Sequence, residues 1–330
     1  MPPDDWSAPV ALRRSLLFRN DPCGCRKYVI LSRSRPPIKE AILLNPTILL
    51  ADALGRNLAE TYRRSYGDQE PRIAALLDEA ARLVIERIAS SDALYHSCEH
   101  TALVTLCVQD ILRGRRIERV VTPSDWAHTI LAALNHDIGY VRGICPGDTA
   151  EHFVIDAAGN TVTPPRGASD AFLTPYHIER GKIMVRERFA PVPFIDEERI
   201  AAAIELTRFP VPEDEDHAAT DTEPALVRAG DLIGQLGDPL YLSKLNALYY
   251  EFAETGFNEK LGYTSPADMV EHYPQFYWGK IERYIGDALR YLEMTMEGKL
   301  WIATLYSHIF AIEHNRRRVG PYPGPRQPQG

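Results

Sequence analysis

The stretch Leu134-Asn135-His136-Asp137-Ile138-Gly139-Tyr140 places a histidine and an aspartate side by side after an apolar run. Imidazole and carboxylate groups together satisfy several divalent metals, and a carboxylate can bridge two cations through its two oxygens. His100 lies upstream and Asp231 downstream, both within segments whose apolar residues recur at helical spacing. Charged groups in such places are costly unless they are paired or bound to metal. The sequence therefore predicts that His100, His136, Asp137 and Asp231 converge on a divalent metal.

The composition argues against several classes of partner. The chain has 330 residues, with 37 Lys and Arg against 45 Asp and Glu, and its net charge of −8 does not suggest the basic face of a nucleic-acid-binding protein. A small anionic substrate remains compatible, because the field inside one cleft does not follow the total charge. The 5 cysteines show no disulfide framework, and no apolar run approaches the ~18 residues of a spanning helix. We expect a cytoplasmic protein with no membrane and no nucleic-acid partner, and the sequence indicates no oligomeric state.

Helical patterning dominates the chain from residue 41 to residue 314. Asn45-Pro46 and Thr122-Pro123 are typical helix starts, with a capping side chain before a proline at the first helical position. We predict an all-α fold with a single helical domain over 41–314. The proline-rich residues 1–40 are expected to form an irregular N-terminal arm, and 315–330 a disordered tail.

Residues 141–175 interrupt the helical pattern directly after the His-Asp pair. Phe153-Val154-Ile155-Asp156 and Thr161-Val162-Thr163 flank a turn that contains Gly159, which predicts a short β-hairpin. A long insertion at this place is typical of a lid or substrate loop.

The motifs resemble those of the HD-domain metal-dependent phosphohydrolases, which carry a histidine, a His-Asp pair and a distant aspartate on an all-helical scaffold. Tyr95-His96-Ser97-Cys98-Glu99-His100 is also similar to the Tyr-His-Asn-x-x-His signature of class I cyclic nucleotide phosphodiesterases, with Ser97 in place of the asparagine. Ile138-Gly139 after the pair is more typical of the broader bacterial HD group. The resemblance extends over about residues 90–300 and implies an HD-domain-like helical bundle.

The resemblance also implies roles at the matched positions. His100, His136, Asp137 and Asp231 would hold a first metal, Asp137 would bridge to a second, and His96 would be the general acid. The metal would be Zn, Mn, Mg or Fe, with one or two ions. The implied activity is hydrolysis of a small phosphorylated substrate, a phosphoester of nucleotide or cyclic nucleotide type, by a metal-activated water.

Each of the remaining candidate site residues has two interpretations. Gln275 and Trp278 have the spacing of the pair that clamps the base in the phosphodiesterases, or they are a surface glutamine and a core tryptophan. Arg142 either contacts a phosphate or pairs with an acid. His177 either binds the second metal or caps a helix, and Glu205 either replaces a ligand histidine or pairs with Arg208.

Two other functions remain open at this point. Some HD proteins bind two irons and activate dioxygen to cleave C–C or C–P bonds, and they surround the second metal with more histidines. A third possibility is an HD fold without activity that serves as a regulatory or binding module.

Overall fold

The chain is all-α over residues 45–314, the part that the computed structural model describes. The expected arm over residues 1–40 and the expected tail over 315–330 lie outside the described residues. The helices are α1 (Pro46–Tyr66), α2 (Pro71–Ile88), α3 (Cys98–Glu118), α4 (Pro123–Asn135), α5 (His177–Phe189), α6 (Glu197–Glu205), α7 (Glu223–Leu236), α8 (Tyr241–Thr255), α9 (Phe257–Leu261), α10 (Pro266–Glu271), α11 (Tyr273–Phe276), α12 (Glu282–Leu292) and α13 (Met296–Glu313). No helix in this described part is long and apolar enough to cross a membrane.

Local chemistry fixes where several helices begin. The Asn45 side chain accepts from the backbone N–H of Thr47 at 3.0 Å, and Pro46 opens α1, as predicted. Thr122 and Asp125 form a reciprocal capping box at the start of α4. This cap fixes where α4 begins, and His136 follows the end of the same helix.

The predicted β-hairpin is confirmed. Strands β1 (Phe153–Val154) and β2 (Thr161–Val162) pair antiparallel, with Phe153 opposite Val162. The buried Arg180 of α5 donates to the carbonyls of Gly139 and Val141 and, at 2.5 Å, to that of Val154. The hairpin segment is thereby tied to the chain that follows His-Asp.

Two apolar cores share helices α3 and α7. One core is built mainly on α1, α2, α4 and α6 and includes Trp126, whereas the other is built on α7, α8 and α10 to α13 and includes Tyr277. Helix α3 gives Val108 to the first core and Ile111 to the second. The α3–α7 pair is therefore central, which explains why its polar side chains are enclosed.

Two glycines allow α3 and α7 to approach closely. A Cβ on Gly230 would lie 2.1 Å from Cγ2 of Val108, and one on Gly234 would lie 2.8 Å from Cα of Val104. Only a residue without a side chain fits at this distance. Asp231 lies next to Gly230, so the close contact brings its carboxylate to the α3 face that carries His100.

The backbone leaves regular α-helix at two places near candidate site residues. Helix α3 begins at Cys98 after an extended Ser97, so His96 precedes the helix that carries His100. The chain around Gln275 and Trp278 forms α11, a wide π-type stretch over Tyr277–Ile281, and then α12.

Candidate metal centre

Four side chains from three helices meet at the junction of the two cores. His100 comes from α3, His136 and Asp137 follow the end of α4, and Asp231 comes from α7. His136 Nε2 lies 3.3 Å from His100 Nε2, 3.0 Å from Asp137 Oδ2 and 3.6 Å from Asp231 Oδ1. His100 Nε2 lies 3.3 Å from Asp137 Oδ2 and 3.5 Å from Asp231 Oδ1. We call these four residues the His/Asp cluster.

The spacing of the His/Asp cluster is that of ligands around one ion. Two ligands at ~2.0–2.1 Å from a tetrahedral metal lie about 3.3 Å apart, close to the observed separations. His100, His136 and Asp137 are buried and could hold a metal ion together. Asp231 is more exposed, with 18% of its side chain accessible, and it faces the open side.

The hydrogen bonds around His136 favour the same interpretation. Its Nδ1 lies 2.8 Å from the Ala133 carbonyl and must carry the proton, so Nε2 presents a lone pair to the cluster. A backbone carbonyl on the far nitrogen is typical of metal-binding histidines. The buried Oδ2 of Asp137 lies 3.0 Å from His136 Nε2 and 3.3 Å from His100 Nε2. Lone pairs that face one another in this way are stabilised by positive charge between them, which protons or a metal ion can supply.

The electrostatics of the cluster attract positive charge. Burial alone would lower the pKa of His100, but hydrogen bonds to Asp137 and Asp231 raise it to about 10. Burial would raise the pKa of Asp137, yet the imidazoles, His136 foremost, hold it well below its usual range. Either protons on the imidazoles or a divalent cation can balance the two carboxylates, and the cation would displace the protons.

His177 lies beside the cluster at the start of α5. Its Nδ1 donates to the Thr174 carbonyl at 2.6 Å, and its Nε2 lies 3.9 Å from the other oxygen of Asp137, Oδ1. Burial lowers the pKa of His177 to about 4, so the ring is neutral and Nε2 carries a lone pair. A Cβ on Gly139 would lie 1.8 Å from the His177 carbonyl oxygen, so this glycine lets α5 dock against the motif.

His96 is held by a buried carboxylate on α8. Glu251, 1% exposed, accepts from His96 Nδ1 at 2.5 Å and from the backbone N–H groups of Tyr95 at 2.5 Å and His96 at 3.2 Å. Burial opposes protonation of His96, but the Glu251 carboxylate outweighs it and raises the pKa. With Nδ1 engaged, Nε2 is the ring nitrogen left to the cluster side.

Tyr140 lies between the two outer histidines. Its ring is stacked on His96 and on His177, with centroids 4.5 Å apart in both cases. Tyr140 and Glu251 were missed by reasoning from the sequence. A glutamate in the apolar run of α8 was the available signal for Glu251, since an acid is seldom buried without a partner.

A large pocket opens from the His/Asp cluster. Its empty volume is about 1050 Å³, including the mouth that opens to solvent. His96, His100, Asp137, His177 and Asp231 are among its lining residues. The lining also includes the apolar side chains Leu245, Leu248, Phe252, Phe257, Leu261 and Met269, which we call the apolar wall. Of the insertion over 141–175, Thr174 is the residue among those described that lines the pocket, so the hairpin itself is not a wall of the site.

Several predicted site residues lie elsewhere. Gln275 is exposed, and Trp278 is 51% exposed and donates to Glu313, so the structure does not bring this pair to the pocket. Phe276, between them, lines it instead.

Two charged candidates are engaged in ion pairs. Arg142 Nε lies 2.6 Å from Asp170, away from the pocket lining, which is the ion-pair alternative. Glu205 pairs with Lys182 at 2.7 Å and with Arg208 at 2.6 Å. Neither side chain contacts the His/Asp cluster.

The fold and the cluster define an all-α protein with a buried His/Asp group that could hold a metal ion. The chain matches the Npun_R2479-like family over residues 44–315 and belongs to that family. No curated protein and no solved structure matches it.

Proposed function

We propose that this chain is a metal-dependent phosphohydrolase of the HD-domain type. The observation that carries the proposal is the convergence of His100, His136, Asp137 and Asp231 on one point, with His96 at the edge of the same pocket. The order of these residues along the chain is the order of the HD motif. The 3.9 Å separation of His177 Nε2 from Oδ1 of Asp137 supports a second ion beside the first.

A divalent cation at this place would lower the pKa of a coordinated water and withdraw charge from a phosphoryl group. The residues of the chain supply the remaining functions. The four members of the cluster would hold the cation, and Asp137 has its Oδ2 near His136 and its Oδ1 near His177. When water adds to phosphorus and the P–O ester bond breaks, the leaving oxygen needs a proton, and His96, which lines the same pocket, would donate it from Nε2.

The His96–Glu251 pair supports this role. Glu251 fixes the ring orientation and the tautomer of His96 through Nδ1, and the Tyr140 ring limits rotation on one face. A general acid that is held in place contributes typically ~10²–10⁴-fold to the rate. The arrangement therefore supports proton transfer at the metal edge rather than metal storage alone.

The test is an assay of the full chain, loaded with Mn²⁺ or Mg²⁺, against the chromogenic diester bis(p-nitrophenyl) phosphate. We expect turnover that a chelator abolishes. His96→Ala should keep the metal and lose about 10²–10⁴-fold in kcat, whereas Asp137→Ala should lose the metal itself. If the loaded protein shows no turnover of diesters or monoesters, the proposal is wrong.

The di-iron oxygenase is a second candidate, and His177 beside Asp137 is the observation that favours it. A di-iron oxygenase purified without oxygen would have an iron chromophore. It would consume oxygen when an organic substrate is added. Metal content without any turnover would instead favour a regulatory or binding module.

A further inference from the structure

We propose that the substrate of this site carries an apolar chain that lies along the apolar wall, with its polar end at the His/Asp cluster. The substrate class is thus a lipophilic phosphoester rather than a nucleotide. The reaction part of this statement rests on the proposed function, whereas the binding part does not.

Helices α8 and α9 both present apolar side chains to the pocket. Leu245, Leu248 and Phe252 recur at helical spacing on α8 and line the pocket, and they also pack in the apolar core that contains Tyr277. Phe257 and Leu261 of α9, which are one turn apart, line the pocket as well. Apolar side chains around a hollow gain free energy when a ligand displaces the water there.

The pocket has room for more than a phosphate group. The empty space among its lining residues is about 1050 Å³, a figure that includes the mouth open to solvent. A phosphate group at the cluster would fill only part of it. Most of the other side chains that line the pocket are apolar or aromatic, so a substrate that uses the whole pocket must have a substantial apolar part.

The cationic side chains of the pocket are held by other groups of the protein. Among the described residues that line the pocket, these side chains are Arg208 and Arg228. Arg208 is engaged by Glu205 at 2.6 Å and by Glu179 at 2.8 Å. Arg228 is buried, its two terminal nitrogens donate to the carbonyls of residues 217 and 219, and its Nε is enclosed without a hydrogen-bond partner among the described residues. Polyphosphate recognition depends on cations that are free to contact phosphate oxygens, whereas Arg208 is engaged by two carboxylates and the terminal nitrogens of Arg228 by backbone carbonyls.

The binding part is tested by titrating the Mn²⁺-loaded full chain with methyl-, butyl- and octylphosphonate in a calorimeter. The P–C bond of these probes resists hydrolysis, so binding is measured without turnover. We expect the affinity to rise about threefold for each methylene in contact with the wall. Octylphosphonate should then bind roughly 100-fold more tightly than butylphosphonate. An affinity that does not depend on chain length would overturn the proposal.

A matched pair of variants locates the effect on α8. Phe252→Ser removes a ring from the wall, whereas Tyr250→Ser removes an exposed ring from the outer face of the same helix. Phe252→Ser should weaken octylphosphonate about tenfold or more and leave methylphosphonate unchanged. Tyr250→Ser should alter neither. Two results would contradict the placement of the apolar chain along the wall. One is an equal effect of Phe252→Ser and Tyr250→Ser on octylphosphonate binding, and the other is an equal loss of affinity for octylphosphonate and methylphosphonate in Phe252→Ser.

Leu261→Glu serves as a second variant of the apolar wall. Leu261 is only partly buried, so a charged side chain there costs less folding stability than it would at a fully buried position. It too should weaken the binding of octylphosphonate selectively.

The two proposals also fail under different experimental results. Chain-length-dependent binding without turnover of any phosphoester overturns the hydrolase alone, whereas turnover with a flat phosphonate series overturns the lipophilic substrate alone.

Discussion

At the scale of single residues, Glu251 is the side chain that links the fold to the proposed chemistry. A buried carboxylate is costly unless donors surround it, and Glu251 has three, two of them backbone N–H groups just before α3. It therefore fixes both the backbone that leads into α3 and the ring of His96. We regard Glu251 as a positioning residue for His96.

We expect Glu251→Gln to lower kcat about 10- to 100-fold, the range seen when the partner of a functional histidine is removed. The change keeps the shape of the side chain, so metal content and KM should stay close to those of the parent. Steady-state kinetics together with metal analysis provide the measurement.

Glu254→Gln is the matched control, because Glu254 lies on the same helix but is exposed and accepts from Ser169. It should leave kcat unchanged. A rise in KM alone, or loss of metal, in Glu251→Gln would show that Glu251 does not act through the His96 ring.

His177 supports a prediction about metal stoichiometry. It is neutral at ordinary pH because burial lowers its pKa to about 4, and its Nε2 faces Oδ1 of Asp137. We expect His177→Ala to bind one equivalent of Mn²⁺ where the parent binds two, as measured by titration calorimetry. The same stoichiometry in both proteins would remove His177 from the metal centre.

At the scale of elements, the site depends on helices that approach more closely than side chains normally permit. Gly230 and Gly234 bring α7 to α3, and Gly139 brings the start of α5 to the turn after α4. In each case the Cβ of any larger residue would meet backbone or a buried side chain. The glycines act on the site by setting the distances between the helices that carry His100, Asp231 and His177.

Gly139→Ala tests this view directly. The added methyl would meet the His177 carbonyl, so α5 must shift, and overpacking of this kind costs about 1–3 kcal/mol of the free energy of unfolding. We expect a lower melting temperature together with weaker binding of the second equivalent of Mn²⁺.

Gly143→Ala is a less crowded comparison, since a Cβ there would meet nothing within 4 Å, although its positive φ adds backbone strain. It should lose stability without a change in metal binding. If Gly139→Ala binds two equivalents as tightly as the parent, the close approach is not needed for the site.

Much of this arrangement could be predicted from the sequence because its signals are local. Neighbouring residues in the chain determine the capped starts of α1 and α4 and the hairpin whose turn follows Asp156. They also determine that the His-Asp pair lies at the end of α4. Glu251 could not be found in this way, since it is 155 residues from His96 and no local pattern encodes that contact. Trp278 shows the converse: its spacing from Gln275 matched that of a clamping pair, yet its side chain is 51% exposed and donates to Glu313.

At the scale of the whole molecule, the His/Asp cluster joins the two apolar cores. His136 and Asp137 follow α4, which belongs to one core, and Asp231 is on α7, which packs largely in the other. A cation bound by all of them would cross-link both cores. Because an unfolded chain lacks this arrangement, metal binding should stabilise the native state.

We therefore expect Mn²⁺ at about 100 times its Kd to stabilise the fold by ~2.7 kcal/mol, which corresponds to a rise in melting temperature of several degrees. Differential scanning calorimetry with and without the ion gives the shift. Asp137→Ala should show none. An equal shift in both proteins would place the ion away from the cluster.

The claim on which the account depends is that one divalent cation lies among His100, His136, Asp137 and Asp231. Anomalous diffraction from crystals of the metal-loaded chain measures this directly. The account predicts a peak ~2.0–2.2 Å from both Nε2 atoms and from one oxygen of each carboxylate. A fully loaded crystal whose anomalous peaks all lie away from these four side chains would contradict it.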